Sequence, residues 1–214
     1  MIGDTIVVGV ELEGGPVSDA RKPGRPAEFD RTAAIQSAMN LFWERGYEAV
    51  SASDLANAMS IERSSFYNSF GDRDRVFREA MAVYAKGQPD VALAQVKVGQ
   101  PVKPVLRRVF RELCQRRAAD RRGCLIVNSI GELVGTHPAL GPEIVSALKR
   151  REKMLERLVA QAVTQREIPD STDPRAVAHV LLTLLCGLNV ISKVIRDEKT
   201  LWRISKDTLG RFGF

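Results

Sequence analysis

The chain has 214 residues, 44% of them hydrophobic and 27% charged, with a formal net charge of +6 and a pI near 9.5. That is enough polypeptide to bury a substantial core in one or two compact domains, and its composition is ordinary for a globular protein. Three cysteines without CxxC spacing and only two histidines argue against a disulfide framework, a zinc site or a histidine-dependent triad, and point to a reducing, cytoplasmic setting. No GxSxG, P-loop, GxGxxG or HExxH pattern occurs, so neither catalysis nor a metal or cofactor is expected.

Residues 1–20 contain no Lys or Arg, and the apolar run at 6–10 is too short to span a bilayer. They are expected to form a disordered leader. The segment 21–29 follows as a basic arm in which Arg21, Lys22 and Arg25 sit among Pro23, Gly24 and Pro26. Two prolines and a glycine keep it extended, either as an arm whose arginines enter a DNA minor groove or as a solvated tail.

Helical periodicity begins at Asp30, an N-cap for a helix over 30–45 with Ile35, Ala38, Met39 and Phe42 on one face and Gly46 ending it. Ser51 and Asp54 have the spacing of a capping box and start a short helix with Leu55, Ala58 and Met59 inward. A turn around Ser60, Ile61 and Glu62 leads into a second short helix over 63–69 that buries Phe66 and Phe70. Asp72 caps the next helix, which runs to about residue 86. Two short helices across a tight turn, flanked by longer ones, are how a helix-turn-helix is built, with its second helix in the major groove. The outward face of that second helix is Arg63, Ser64, Ser65, Tyr67 and Asn68, small or hydrogen-bonding side chains suited to base edges.

Ala38, Leu41, Phe42, Gly46, Tyr47, Ser51, Asp54, Leu55, Ala56, Ala58, Ile61, Phe66, Tyr67, Phe70, Arg73 and Phe77 resemble, without a gap, the DNA-binding domain of the TetR family of bacterial transcription regulators. Ser60 stands where that family has a turn glycine, and Glu62 where it usually has Ser or Thr. The resemblance implies that Ser65 and Tyr67 approach base edges or thymine methyls and that Asn68 and Arg73 hold phosphates. Ser51 reads either as a phosphate contact at a helix N-terminus or as a cap alone.

Beyond punctuation at Pro89 and at 99–101, helices are expected over 103–119, 123–134, 141–165, 173–194 and 198–212. No strand alternation appears, so the fold class is all-α: a helix-turn-helix domain over 30–86 and a helical domain over 87–214. The resemblance makes the second domain an effector-binding and dimerisation unit. The apolar run at 180–191 is too short for a membrane helix and reads as buried. A helix apolar nearly all round needs burial on two sides, which points to a homodimer packed through Leu181, Leu184, Leu188, Ile191 and Trp202. Phe110, Cys114, Cys124, Asn128 and Asn189 are the candidate effector contacts. Asn128 and Asn189 read equally as satisfying buried backbone groups.

Charge is unevenly placed. Residues 21–86 carry 10 basic and 9 acidic groups, whereas 97–122 carry 9 and 2. The second run reads as a solvated helix face in preference to a patch for an anionic partner or effector. The function expected is a cytoplasmic, sequence-specific repressor of the TetR type, released from a palindromic operator by a small molecule. Two alternatives are a constitutive DNA-binding protein without an effector and a thiol-based sensor using Cys124.

Overall fold

The computed structural model describes residues 29–214, within which ten α-helices and no strand form. The leader and the arm residues Arg21, Lys22 and Arg25 lie outside the described residues. The first four helices are α1 (Arg31–Arg45), α2 (Ala52–Ala58), α3 (Arg63–Phe70) and α4 (Arg73–Lys86). A short α5 (Val91–Ala94), α6 (Val102–Ala119) and α7 (Leu125–Leu133) follow, then α8 (Leu140–Thr164), α9 (Pro174–Ile191) and α10 (Glu198–Arg211). Local chemistry sets the starts. Asp30, Asp72, Asp173 and Asp197 each accept hydrogen bonds from backbone N–H groups of the first turn they precede, satisfying donors that a helix leaves orphaned. α5 had no counterpart in the sequence reading, and α9 ends three residues early because the chain tightens into Lys193 N–H to Val190 and Val194 N–H to Ile191 bonds.

Two apolar clusters organise the helices. One joins α1–α4 through Phe42, Tyr47, Phe66, Phe70 and Phe77, and extends to Cys124, Ile126, Leu133 and Ile144 on and around α7 and the start of α8. The other joins α5, α6, α8, α9 and α10 through Leu106, Phe110, Leu155, Leu158, Leu181 and Leu201. α7 thus serves as the floor on which the N-terminal helices sit.

By length and composition α9 is the one described helix that could cross a membrane, yet only a third of it is buried and its inward face packs on α8 and α6. Its phase corrects the expected dimer residues. Leu181 and Leu188 are 0% and 2% exposed in the protomer's own core, Leu184 is half-buried against the same core, and Trp202 is half-buried beneath the Arg111 guanidinium. Only Ile191 of the five is exposed. The free face lies on the opposite side, at Ala176, Val180, Thr183, Gly187, Val190 and Val194, joined by Ile204 of α10. That repeat of three and four residues is one helical stripe. The exposed stripe is itself partly apolar, through Val180, Val190 and Val194, so hydrophobicity alone does not tell which apolar side of α9 faces the protomer's own core.

Candidate nucleic-acid interface and the cavity behind it

Around the helix-turn-helix, each bend has a local cause. Ser51 and Asp54 form a complete capping box, with Asp54 N–H donating to Ser51 Oγ at 3.1 Å and Ser51 N–H to Asp54 at 2.8 Å. The Ser51 hydroxyl, which also donates to the Asp54 carboxylate at 2.5 Å, and after it the Ser51 N–H hold that carboxyl below its usual range. α2 ends in a Schellman arrangement: Ile61 N–H reaches the Ala56 carbonyl and Ser60 N–H the Asn57 carbonyl, both at 3.0 Å. The reversal puts Ser60 at φ +55, a left-handed position that glycine occupies at less cost.

α3 then starts at Glu62, whose side chain makes no cap bond. Phe66 and Phe70 are fully buried, Phe66 edge-on to Tyr67 at 5.4 Å and tilted against Phe70 at 5.9 Å. The same helical spacing leaves Arg63, Ser64, Tyr67 (45% exposed) and Asn68 outward, while Ser65 is half-buried. The Arg63 guanidinium lies 5.9 Å from the Tyr67 ring. An uncapped helix start followed by hydroxyl, phenol and amide groups presents donors both to phosphates and to base edges.

Two residues assigned to phosphates are engaged inside the molecule. Arg73 Nη1 donates to the Val50 carbonyl at 3.1 Å, and its guanidinium stacks over Tyr47 at 4.0 Å from the ring centre. Arg73 thereby clamps the α1–α2 loop to α4. The Ser51 hydroxyl is used by the capping box, which fits its reading as a cap.

Tyr47 was matched only as a family residue, and the structure makes it a junction. Its phenol donates to Asp74 and lies 3.3 Å from His137 Nε2, while its backbone N–H donates to Glu132 Oε2 at 2.9 Å. Burial, reinforced by the bond to Asp74, pushes its phenol up to about 12. Glu132 belongs to α7 and His137 to the α7–α8 loop, so both domains meet here. Arg78 of α4 adds an ion pair to Glu143 of α8 at 2.8 Å. Gly46 is more than a helix terminator: at φ +84 a Cβ would stand 1.9 Å from Glu132 Oε1, so the carboxylate approaches closely only because no side chain is there.

Behind this junction is a cavity of about 30 Å³ between the α4–α5 loop and α6, α8 and α9, lined by Leu113, Arg117, Cys124, Leu182, Cys186 and Asn189 among others. It has room for a water or two. Of the five candidate effector residues, Cys124 and Asn189 line it. Phe110 and Cys114 are instead packed in the second core, with Cys114 Sγ 3.2 Å from Ser205 Oγ. The Asn128 amide donates to the Arg122 carbonyl at 2.8 Å, a backbone-satisfying role. Burial pushes the Cys114 and Cys186 thiols up, away from reactive thiolate, and Cys124 is 6% exposed.

The sequence reading missed Arg117, 2% exposed in the cavity wall. Most of the basic run at 97–122 is the solvated face expected, with Lys97, Arg108, Arg111, Arg116 and Arg121 exposed, but Arg117 is buried and several of the others also hold neighbouring elements. Arg111 lies over Trp202 at 5.2 Å, Arg116 donates to the Gly87 carbonyl at 2.6 Å, and Arg122 pairs with Asp120 and stacks on Trp43 at 3.7 Å. These arginines bind α6 and the loop after it to their neighbours.

A capped helix-turn-helix seated on a larger helical body, with no strand among the described residues, is the architecture of a DNA-binding transcription regulator. Comparison with known proteins gives the family. Residues 34–80 match the family model described as bacterial regulatory proteins, tetR family, and residues 104–207 match that of the tetracyclin repressor-like C-terminal domain. The chain belongs to the TetR family. It is 29% identical over 195 residues to the HTH-type transcriptional repressor ComR of Escherichia coli, covering 87% of this chain and 90% of that protein. It is also 29% identical over 181 residues to the HTH-type regulator YezE of Bacillus subtilis, covering 83% and 93%. Among solved structures, a cysteine-substituted form of the TetR family regulator CifR complexed with 26-base-pair operator DNA shares 28% identity at a TM-score of 0.76, covering 88% of this chain and 100% of that one.

Proposed function

We propose that this TetR-family member is a cytoplasmic transcriptional repressor that reads a palindromic operator as a homodimer and leaves it on binding a small molecule. Residues 30–86 then form the DNA-binding unit and 87–214 the effector-binding and dimerisation unit. The observation that carries DNA reading is the exposed Arg63, Ser64, Tyr67 and Asn68 face of α3, held out by the buried Phe66 and Phe70. Its likeness to CifR, solved on operator DNA, supports the same use here. The exposed stripe of α9 with Ile204 is the surface through which two copies pack, in agreement with isologous pairing of helices about a two-fold axis. Dimerisation would set two α3 helices about 34–36 Å apart for successive major grooves. Selection of bound DNA from a random pool tests the reading: a palindrome should be enriched, and failure to enrich one overturns it.

The small size of the cavity favours a second reading, constitutive DNA binding without an effector. Release of the selected operator by any small molecule would exclude it.

A further inference from the structure

Arg117 is a buried cation whose partners are all neutral. Its Nε donates to Asn189 Oδ1, and its Nη2 to Gln88 Oε1 at 2.8 Å and to the Tyr84 hydroxyl at 3.2 Å. Nη1 has no hydrogen-bond partner among the described residues, and no described carboxylate lies within 4 Å of the guanidinium. The nearby acids are engaged elsewhere. Asp120 is held by Arg122 at 2.8 Å, and Asp90 pairs with Arg151, which lines the same cavity as a neutralised pair. A guanidinium stays charged in any protein setting, and a buried charge is costly until paired with its opposite. The cavity wall therefore carries one uncompensated positive charge. Elsewhere it is apolar, with Leu113, Val127, Leu148, Leu182 and Leu185.

We propose that this cavity is the receptor for a small monocarboxylate whose head group pairs with Arg117 and whose short alkyl tail lies on the leucines. Two carbonyl oxygens, from Asn189 and Gln88, already sit where the two oxygens of a carboxylate would meet the planar fork, and a charged acceptor makes the stronger bond. One net positive charge suits one negative charge. At about 30 Å³ the cavity as it stands holds a water or two, so a few-carbon acid gains its space only as the Asn189 and Gln88 amides move out, and a bulkier phosphate ester would need far more. Entry requires the two amides to swing aside, which ties binding to the α4–α5 loop and to α9. Tyr84 is on α4, so loss of its Arg117 donor alters the support of the helix that carries the helix-turn-helix. That last consequence rests on the regulator reading above, whereas the binding step does not.

The test uses the full chain and the probes sodium propionate and sodium butyrate, with propionamide and butyramide as uncharged isosteres and sodium chloride at matched ionic strength. Titration calorimetry and thermal unfolding should show the acids binding and raising the melting temperature and the amides doing neither. Arg117→Met should weaken the acids at least about tenfold, the loss expected for removing a charge-assisted pair. Because removing a buried arginine can disturb folding, Asn189→Asp is the second variant. It places a carboxylate of the same shape on Arg117 at the expense of the bond that the Asn189 amide donates to the Leu185 carbonyl at 2.7 Å, and should abolish the response to propionate in a protein that still unfolds cooperatively. Equal binding of acid and amide, no binding of either acid, or an undiminished propionate response in Asn189→Asp each overturns the proposal. Operator binding by the ligand-free protein is measured in parallel: its absence would overturn the regulator reading while leaving the carboxylate site standing.

Discussion

Replacing Gly46 with alanine should weaken the contact between the DNA-binding helices and α7. Gly46 has φ +84 and ψ 168, a region nearly closed to residues with a Cβ, and the new methyl would start 1.9 Å from Glu132 Oε1 and 2.8 Å from its Cδ. Glu132 is the flexible partner, so it moves, and in moving it gives up the bond it accepts from Tyr47 N–H. Backbone strain of this kind costs about 1–3 kcal/mol, and loss of a hydrogen bond to a charged acceptor about 1.5–3 kcal/mol. Together these come to about 2.5–6 kcal/mol, a large part of the 5–15 kcal/mol that typically holds a domain folded. Glu132→Ala removes only the hydrogen bond and should cost about 2 kcal/mol. In the Glu132→Ala background the clash is gone, so Gly46→Ala should then cost only its strain, and the cycle should be non-additive by about 1.5 kcal/mol or more. Urea unfolding followed by far-UV circular dichroism, at one fixed protein concentration because association contributes to stability, measures all four proteins. A Gly46→Ala loss under about 1 kcal/mol, or strict additivity, would refute the close-approach argument.

Ser60→Gly should stabilise the protein by about 0.5–1 kcal/mol, because Ser60 is left-handed at φ +55; an unchanged urea midpoint would count against the strain assigned there. Tyr67→Ala should lower operator affinity by about 1–3 kcal/mol, as loss of a base-edge contact does, with secondary structure intact, since this ring is 45% exposed; undiminished binding in a mobility-shift titration would remove Tyr67 from the reading face. Val190→Glu places a charge on the 57%-exposed stripe of α9 and should yield a folded monomer in analytical ultracentrifugation. By contrast Leu181→Ala, within the core, should cost about 2–5 kcal/mol of stability; a dimeric Val190→Glu protein would reject the assigned face. Asp54 has its folded-state pKa lowered by Ser51, so its contribution is present at neutral pH and lost as pH falls through and below the ordinary carboxylate value of about 4. Ser51→Ala should reduce that acid dependence, and identical acid unfolding curves would contradict it.

What could be read from the sequence follows the range of the interactions. Caps at Asp30, Ser51 and Asp72 act within three or four residues and were legible, as was the face of α3, fixed by the spacing of Phe66 and Phe70. The charge of Arg117 and the roles of Glu132 and His137 were not, because each depends on partners far along the chain: Asn189, Tyr47 and Asp74. A basic run looks the same in sequence whether it faces water or a neighbouring helix. Arg73 illustrates the same limit, since its match to a family position does not disclose that Val50 and Tyr47 already hold it.

The placement of those long-range contacts bears on how the proposed carboxylate site would reach the DNA-binding helices. α4 has 14 residues, hence a length of about 21 Å, and polar contacts tie it to the C-terminal helices at three levels. Asp74 meets His137 at its start, Arg78 meets Glu143 one turn on, and Tyr84 meets Arg117 near its end. Apolar packing against α1 through Phe77 and Ala80 is continuous and costly to slide. The attachment to α7 is less extensive, an apolar contact around Ile126 and Leu133 edged by the two partly exposed ion pairs, each of which holds by about 1 kcal/mol or less. A change at Arg117 would therefore leave α4 and α1 packed as one body and act by shifting that body on α7. The helix-turn-helix would follow as a unit, because Arg73 and Tyr47 bind its entry loop to the first turn of α4. Small rotations at such a pivot become displacements of α3, and only the spacing between two copies need change for DNA to register them.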